Sequence, residues 1–203
     1  IYVQGKDDIS VFPLINAYWE GVYFSGDRLG AFVAGGDDWG FGLVVGLDHA
    51  GDKDRGDSGK LKDMRSLSTE FVGGINAFFE TSVGEFSAEL NRDISNKHKG
   101  YSASLAYSYP MVFGSWTISP EVYTAWLSHA VSDYYYGVRQ VDAKYGRKAY
   151  RPASAFQFGL GVGVEYAIDS HHLVNIGLGA ELLSKDVRNS PIIDDGQFVD
   201  LSV

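Results

Sequence analysis

The feature that most constrains the fold is the stretch FQFGLGVGVEYAI, residues 156–168. Its residues alternate between a row of large apolar side chains and a row of small or polar ones. A period of two predicts a β-strand, because successive side chains of a strand point to opposite faces. The large row is longer than the core face of a typical soluble sandwich strand. Glycine weakens a strand, so three glycines on one face need a reason. The large row is Phe156, Phe158, Leu160, Val162, Val164, Tyr166 and Ile168, and the glycines are Gly159, Gly161 and Gly163.

The same alternation recurs in residues 41–48, 85–91, 101–109 and 173–183. Segments of about ten residues with one apolar and one polar face are typical of strands in transmembrane β-barrels. A closed barrel is also the only sheet that leaves no unpaired backbone in lipid. We therefore predict an all-β fold, a transmembrane antiparallel up-and-down β-barrel, whose large row faces lipid and whose glycine row faces a crowded lumen. A soluble β-sandwich is the alternative fold.

Composition excludes several other classes of protein. The chain has no Cys, so neither a disulfide framework nor a thiolate metal site is possible. Its net charge of -9 argues against nucleic-acid binding, which needs a basic surface. No apolar run approaches the roughly 18 residues of a transmembrane helix. We expect no cofactor and no metal, and the start at Ile1 without a signal-like segment suggests a mature or trimmed product.

Connection lengths predict the orientation of the barrel. Outer-membrane barrels have short periplasmic turns and long extracellular loops. The short connections are 35–38, 82–84, 113–115 and 169–171, and they alternate with the long polar ones at 51–66, 95–100, 133–154 and 185–196. Placing 51–66 outside requires an extra hairpin through residues 23–25 and 29–34. The result is about twelve strands, or ten if residues 11–25 are partly irregular.

The whole chain, residues 1–203, is predicted to be a single barrel domain. Residues 1–4 resemble the end of a first strand, and residues 199–203 resemble the start of a last one. Both terminal strands therefore look truncated.

Four motifs carry a resemblance to a known family. They are FPLINAYWEG (12–21), YSYPMVFG (107–114), SDYYYGV (132–138) and NSPIIDD (189–195). With them the chain resembles the MltA-interacting protein / OmpV family of Gram-negative outer-membrane proteins. The resemblance implies a β-barrel integral to the outer membrane. One member is described as a scaffold joining a lytic transglycosylase to a bifunctional murein synthase, and others as adhesins or porin-like proteins.

The function that we expect from this resemblance is a non-catalytic scaffold for peptidoglycan-remodelling enzymes. The partners would be a murein hydrolase and a murein synthase at the periplasmic rim, with lipid and lipopolysaccharide around the barrel and no nucleic acid. A small pore or a surface adhesin is the alternative. Aromatic anchors beside charged groups suit a binding patch, and interfacial girdle residues are an equal explanation for the Trp pair. The predicted partner-binding residues in the short turns are Asp37, Asp38, Trp39, Phe113, Trp116 and His171.

Catalysis and metal binding are not expected. The adjacent pairs Ser128-His129 and Asp48-His49 are the only candidates for a nucleophile with its base, and neighbours in a strand point to opposite faces. Asp52, Asp54 and Asp57 form an acidic loop that we interpret as solvated charge. The tripeptide RGD at residues 55–57 is interpreted as a chance match.

Two features bear on whether the lumen conducts. Tyr134–Tyr136 is predicted to be an interfacial belt continuing a strand, the alternative being a lumen plug with Arg139 and Arg147. Carboxylates on the inward rows would make a pore cation-selective, or would pair with Arg92 and loop cations and close it. These carboxylates are Glu85, Glu89, Glu121, Glu165 and Glu181.

Overall fold

The computed structural model describes residues 2–4, 16–48, 50–169, 173–194 and 197–202, and twelve strands within these ranges form one antiparallel sheet. Two short α-helices, α1 (His129–Tyr136) and α2 (Lys185–Arg188), and two 3₁₀ turns, Arg55–Asp57 and Gln140–Asp142, lie in the long connections. The strands are β1 (Asn16–Trp19), β2 (Val22–Ser25), β3 (Arg28–Gly35), β4 (Trp39–Leu47), β5 (Phe71–Thr81), β6 (Gly84–Asp93), β7 (Tyr101–Ser108), β8 (Met111–Phe113), β9 (Trp116–Leu127), β10 (Ala155–Ala167), β11 (Leu173–Leu183) and β12 (Gln197–Ser202).

Each strand pairs with its neighbour in the chain, as an up-and-down sheet requires. The exception is β8, which pairs with β9 only, so that β7 and β9 are adjacent along the main path. The predicted extra hairpin is present as β2 and β3. Within the described ranges the path runs from β1 to β12, and no pairing joins these two strands. The predicted all-β antiparallel fold is confirmed, and the sheet is consistent with a barrel.

The two faces of the sheet differ as predicted. On β10, Phe158 and Leu160 are 53% and 64% exposed, whereas Ala155, Gln157 and Gly159 are buried. The register continues this division into β11, where Leu178 lies beside Val162 and Gly177 beside Gly163. An apolar face of this extent has to be covered, and lipid is the medium that covers it on a barrel. No helix among the described residues is both long enough and apolar enough to cross a membrane.

The glycine row is crowded at only one of its three positions. A Cβ at Gly159 would lie 1.9 Å from Cε1 of Tyr123, so no side chain fits there. A Cβ at Gly161 would meet only a backbone oxygen at 3.5 Å, and one at Gly163 only a backbone oxygen at 3.9 Å. The expectation of a crowded lumen is therefore confirmed at Gly159 and wrong at the other two positions, where the lumen is open.

From β3 onward, short connections alternate with long ones, which confirms the predicted pattern for these connections, whereas the β2–β3 connection of residues 26–27 lies on the side of the long loops and is short. We call the side with residues 48–70, 94–100, 128–154 and 184–196 the loop end of the sheet. The side with residues 36–38, 82–83, 114–115 and 168–172 is the turn end, of which residues 170–172 are not described.

The hydrophobic core lies at the loop end rather than along the strands. Helix α1, the 48–70 connection and the 184–194 segment pack together there, and we call this cluster the plug. Tyr2 belongs to it, forming an isolated bridge with Ile193 in place of the expected strand end. The buried apolar members are Tyr2, Ala50, Leu61, Met64, Leu127, Val131, Tyr134, Tyr135, Tyr136, Val138, Ala155, Leu183, Val187, Ile192 and Ile193.

The prediction that Tyr134–Tyr136 form an interfacial belt is wrong. The three tyrosines lie in α1 and are between 1% and 7% exposed, inside the plug. The chain leaves β9 at Leu127 and turns into a helix at His129, which carries these side chains into the interior instead of along a strand. The alternative of a lumen plug is the one that the structure supports.

Candidate functional site

Hydrogen bonds attach the plug to the sheet and to the other loops. The hydroxyl of Tyr135 donates to Glu70 Oε2 at 2.5 Å, just before β5. The hydroxyl of Tyr136 donates to the carbonyl oxygen of Ala50 at 3.1 Å, and Ser190 Oγ donates to the carbonyl oxygen of Tyr136 at 2.6 Å. Burial raises the pKa of Tyr135 and of Tyr136 well above the usual value, so both hydroxyls keep their protons and remain donors.

An arginine clamp closes the plug on its outer side. Arg147 is 4% exposed and donates to both carboxylate oxygens of Asp63, at 2.9 and 2.8 Å, and to the carbonyl oxygen of Lys60. The guanidinium of Arg147 and the ammonium of Lys144 hold the pKa of Asp63 well below its usual range. A lowered carboxyl pKa contributes stability that is present above the ordinary Asp value and is lost only as pH falls through the lowered one. The clamp therefore persists in mildly acidic media.

The lumen beneath the plug is partly filled by inward side chains. Phe32 lies between the rings of Tyr23 and Phe78, with centroids 5.2 and 5.3 Å away. Arg28 forms an ion pair with Glu89. These contacts bridge β2, β3, β5 and β6 through the interior, with Arg28 toward the loop end and Phe78 toward the turn end.

The inward carboxylates are on the predicted face, but one predicted partner is wrong. Tyr123 donates to Glu181 Oε2 at 2.5 Å, and Arg28 rather than Arg92 pairs with Glu89. Arg92 lies outside, with its guanidinium 5.3 Å from the ring centroid of Tyr101. The remaining inward carboxylates, toward the turn end, are Glu85, Glu121 and Glu165.

The predicted partner-binding residues lie at the turn end in two groups. Asp37 and Asp38 form the β3–β4 turn, and the following Trp39 is 46% exposed. Phe113 and Trp116 face each other across the β8–β9 hairpin and are 59% and 50% exposed. Four strand steps separate the two groups, about 19 Å at the usual strand spacing. His171 lies outside the described residues.

Basic side chains are distributed unevenly between the two ends of the sheet. Every Lys and Arg among them lies in a loop-end connection or near the loop end of a strand, and Arg28 and Arg92 are the two on strands. The described part of the turn end therefore carries carboxylates without a compensating cation. These carboxylates are Asp37, Asp38, Glu80, Glu85, Glu121 and Glu165.

The catalytic candidates are not brought together. Ser128 Oγ accepts the backbone N–H of Tyr101 at 2.9 Å. His129 Nδ1 lies 2.7 Å from the carbonyl oxygen of Pro152. For the pair of Asp48 and His49, His49 is outside the described residues.

The acidic loop and the RGD tripeptide are tied into the plug. Arg55 is 5% exposed and donates to the carbonyl oxygen of Arg65 at 2.8 Å, so the tripeptide is not presented as a surface motif. Asp52 Oδ1 accepts the backbone N–H of Asp54, and Lys53 pairs with the Asp54 carboxylate at 2.5 Å. These acidic side chains therefore make local contacts within the loop.

A buried polar cluster at the loop end was not predicted. Asp48 and Glu70 lie at the two ends of the β4–β5 connection and His98 lies in the β6–β7 connection. Each offers a ligand atom within 4.8 Å of the others. No short spacing motif joins them in the sequence, because the long β4–β5 connection separates Asp48 from Glu70, and β5 and β6 separate Glu70 from His98. The one available signal was Asp48, whose predicted neighbour was the adjacent His49, whereas its hydrogen-bond partner is His98.

The chain matches one protein family and several outer membrane proteins. The family model described as MltA-interacting protein MipA matches residues 2–203. Outer membrane protein OmpV of Vibrio cholerae serotype O1 is 29% identical over 192 residues, 92% of this chain and 74% of that protein. Outer membrane protein Omp26La of Vibrio anguillarum is 29% identical over 143 residues, 70% of this chain and 55% of that protein. The MltA-interacting protein of Escherichia coli strain K12 is 25% identical over 143 residues, 70% of this chain and 57% of that protein.

The chain thus spans between about half and three quarters of the length of these relatives. No solved structure gives a significant match.

Proposed function

Because this chain belongs to the family of the MltA-interacting protein MipA, we propose that it is a non-catalytic scaffold in the outer membrane that docks a murein hydrolase and a murein synthase at its turn end. Its relatives are named outer membrane proteins, and its exposed apolar strand face suits lipid. One observation carries the proposal beyond the family. The plug fills the loop end, so the barrel is poorly suited to the diffusion of solutes through its lumen. The two ends of the barrel are then the surfaces that can bind a partner.

The orientation of the scaffold follows from its loops and charges. Short turns lie in the periplasm and long loops outside in bacterial barrels, so the turn end faces the peptidoglycan. The cations of the loop end then lie beside the anionic headgroups of lipopolysaccharide in the outer leaflet. This contact with lipid and lipopolysaccharide is part of the proposal, since opposite charges attract across a short screening distance.

The docking surface that we propose is the turn end, with Asp37, Asp38, Trp39, Phe113, Trp116 and His171. Exposed aromatic side chains supply the affinity of most compact interfaces. Short turns hold them in place, which lowers the ordering cost of association. The uncompensated carboxylates favour a partner with a basic patch, and such a contact weakens as salt is added.

We expect Asp37→Ala, Asp38→Ala and His171→Ala, made together, to weaken the capture of murein enzymes from detergent-solubilised envelope. The physical reason is the loss of negative charge and of a polar turn contact at the proposed rim. The measurement is a pull-down read by mass spectrometry, repeated at low and high salt. The wild-type protein should lose partners as salt rises.

A matched control removes acidic residues from the loop end instead. Asp54 and Asp186 are exposed there, and their replacement by Ala should leave the pull-down unchanged. Heat-modified migration on gels checks that both variants fold as barrels. Loss of partners in the loop-end variant, with full capture by the turn-end variant, would contradict the scaffold proposal.

Topology is tested by labelling, which the absence of Cys makes clean. Tyr145 is fully exposed at the loop end and Val83 is 62% exposed at the turn end. We expect Tyr145→Cys to react with a membrane-impermeant maleimide on intact cells, and Val83→Cys to react only after the outer membrane is permeabilised. The reverse order of labelling would show that the sheet is inserted the other way round.

A surface adhesin is the second candidate function. The 137–154 loop exposes Val141 and Tyr145, at 81% and 105%, on a base held by the Arg147 clamp. Exposed apolar tips on a rigid loop suit contact with another surface. Replacing both with Ser would reduce attachment if this function holds, and would leave the capture of murein enzymes unaffected.

A further inference from the structure

The buried polar cluster of Asp48, Glu70 and His98 lies where the plug meets the sheet. Asp48 follows β4, Glu70 precedes β5, and His98 lies between β6 and β7. His98 Nε2 is 2.9 Å from Asp48 Oδ2 and 4.0 Å from Glu70 Oε2. The three side chains are 1%, 5% and 0% exposed for His98, Asp48 and Glu70.

The hydrogen bonds of His98 determine which of its two ring nitrogens carries the proton. The backbone N–H of Gly100 donates to His98 Nδ1 at 2.9 Å, so Nδ1 carries a lone pair. Nε2 then carries the hydrogen and donates it to Asp48 Oδ2. The imidazole is neutral in this arrangement. It orients the Asp48 carboxylate and does not neutralise it.

Negative charge in the cluster is therefore left without a counter-charge. His98 is the only basic side chain of the described residues within 4.0 Å of either carboxylate. Ionised carboxylates are rarely buried unless they are paired or bind a cation. Asp48 and Glu70 are both buried in this way, and both lie near Nε2 of the same imidazole.

One oxygen of Glu70 points to the missing partner. Glu70 Oε2 accepts the Tyr135 hydroxyl, whereas Oε1 is buried and has no hydrogen-bond partner among the described residues. Buried polar atoms are nearly always paired, so an orphan here indicates a ligand. Protonation of Oε1 would not satisfy this atom, because the resulting buried O–H group would itself need a hydrogen-bond acceptor.

We propose that Asp48 and Glu70 bind a hard divalent cation of the Ca²⁺ type, with His98 as an outer residue that orients Asp48. Oxygen ligands bound to one Ca²⁺ at about 2.3 to 2.6 Å lie at most about 5 Å apart, and the ligand atoms of this cluster lie within 4.8 Å. A histidine that holds a ligating carboxylate by hydrogen bonding is a common outer-shell arrangement. Zn²⁺ would instead need the Nε2 lone pair, which the proton occupies.

The cation would lock the plug to the sheet. Tyr135 on α1 donates to the same carboxylate that binds the ion, so the ion, Glu70 and α1 are connected in series. The site is at the loop end and the proposed docking surface is at the turn end. Each proposal can therefore fail without the other.

The first test measures binding directly on the folded protein in detergent. Tb³⁺ replaces Ca²⁺ at oxygen sites and emits when a neighbouring tyrosine is excited, and Tyr135 is that neighbour. We expect tyrosine-sensitised emission that Ca²⁺ displaces, and calorimetric binding of Ca²⁺ alone. Glu70→Gln keeps the shape and the acceptor for Tyr135, and should weaken Ca²⁺ binding at least tenfold.

Controls separate this site from surface charge and from misfolding. Asp54→Asn removes an exposed loop-end carboxylate and should bind Ca²⁺ as the wild type does. Asp48→Asn is a second variant of the site and should weaken binding like Glu70→Gln. Heat-modified migration verifies the barrel fold in each variant, and EDTA should lower the melting temperature of the wild type but not of Glu70→Gln.

Three results would overturn the proposal. They are the absence of Ca²⁺ binding to the folded wild-type protein, equal affinity in Glu70→Gln, and binding of Zn²⁺ without Ca²⁺. The last would mean that His98 is itself a ligand.

Discussion

Tyr135→Ala is expected to open the loop end of the barrel and to lower the free energy of unfolding by about 3 to 5 kcal/mol, the usual cost of deleting a buried aromatic side chain. Tyr135 is 1% exposed, and its ring packs against those of Tyr134 and Tyr136 with centroids 5.2 and 6.3 Å away. Its hydroxyl is also a donor to buried Glu70. The variant therefore loses packing and leaves a buried carboxylate oxygen unpaired.

The consequence for transport is measured as conductance in planar bilayers. The wild-type protein should be nearly silent because the plug fills the loop end, and Tyr135→Ala should show frequent openings. The inward carboxylates toward the turn end would make such currents cation-selective. Tyr145→Ala is the matched control, since Tyr145 is a fully exposed tyrosine at the same end. Steady currents from the wild type, equal to those of the variant, would contradict a sealed lumen.

Leu160→Arg is expected to destabilise the folded barrel by about 2 to 4 kcal/mol, the cost of a cation on the lipid side at mid-bilayer depth. Leu160 is 64% exposed near the middle of β10, with Val122 and Ala180 beside it on β9 and β11. All three lie on the outward face. An arginine at this position has no inward partner and meets lipid.

The neighbouring glycines provide a contrast in the same strand. Gly161→Arg should be tolerated, since its Cβ would have no contact closer than 3.5 Å and its side chain would enter the open lumen. Gly159→Arg should fail to fold, because the ring of Tyr123 occupies the space. Refolding into liposomes with a urea titration measures all three. Equal stability of the arginine variants at positions 159, 160 and 161 would contradict the assignment of faces.

The period of two in the sequence determined the sheet and its faces. Residues 156–168 and 173–183 specify which side chains meet lipid, because a slip of one residue would turn the whole apolar row inward. The alternation of short and long connections likewise determined which strand ends lie together, and it predicted the β2–β3 hairpin. Both signals are local, so they can be read from a single sequence.

Tertiary structure alone decided what fills the loop end. Tyr134–Tyr136 have the composition of an interfacial belt, and they are buried because α1 turns them toward Ala50, Glu70 and Ser190, far away in the chain. Arg28 rather than Arg92 pairs with Glu89 for a similar reason: the lumen brings β3 and β6 together across the barrel. No local sequence pattern predicts the burial of these tyrosines or the pairing of Arg28 with Glu89.

The polar cluster of Asp48, Glu70 and His98 was likewise determined partly by the sequence and partly by the tertiary structure. Sequence placed Asp48 at a strand end, but only the register of β4 with β5 and of β5 with β6 brings it beside Glu70 and His98. Periodicity reports the side of the sheet on which a residue lies. Contacts between separate loops depend on how the sheet curves and on how the loops fold back over it, and these are set by packing across the whole molecule.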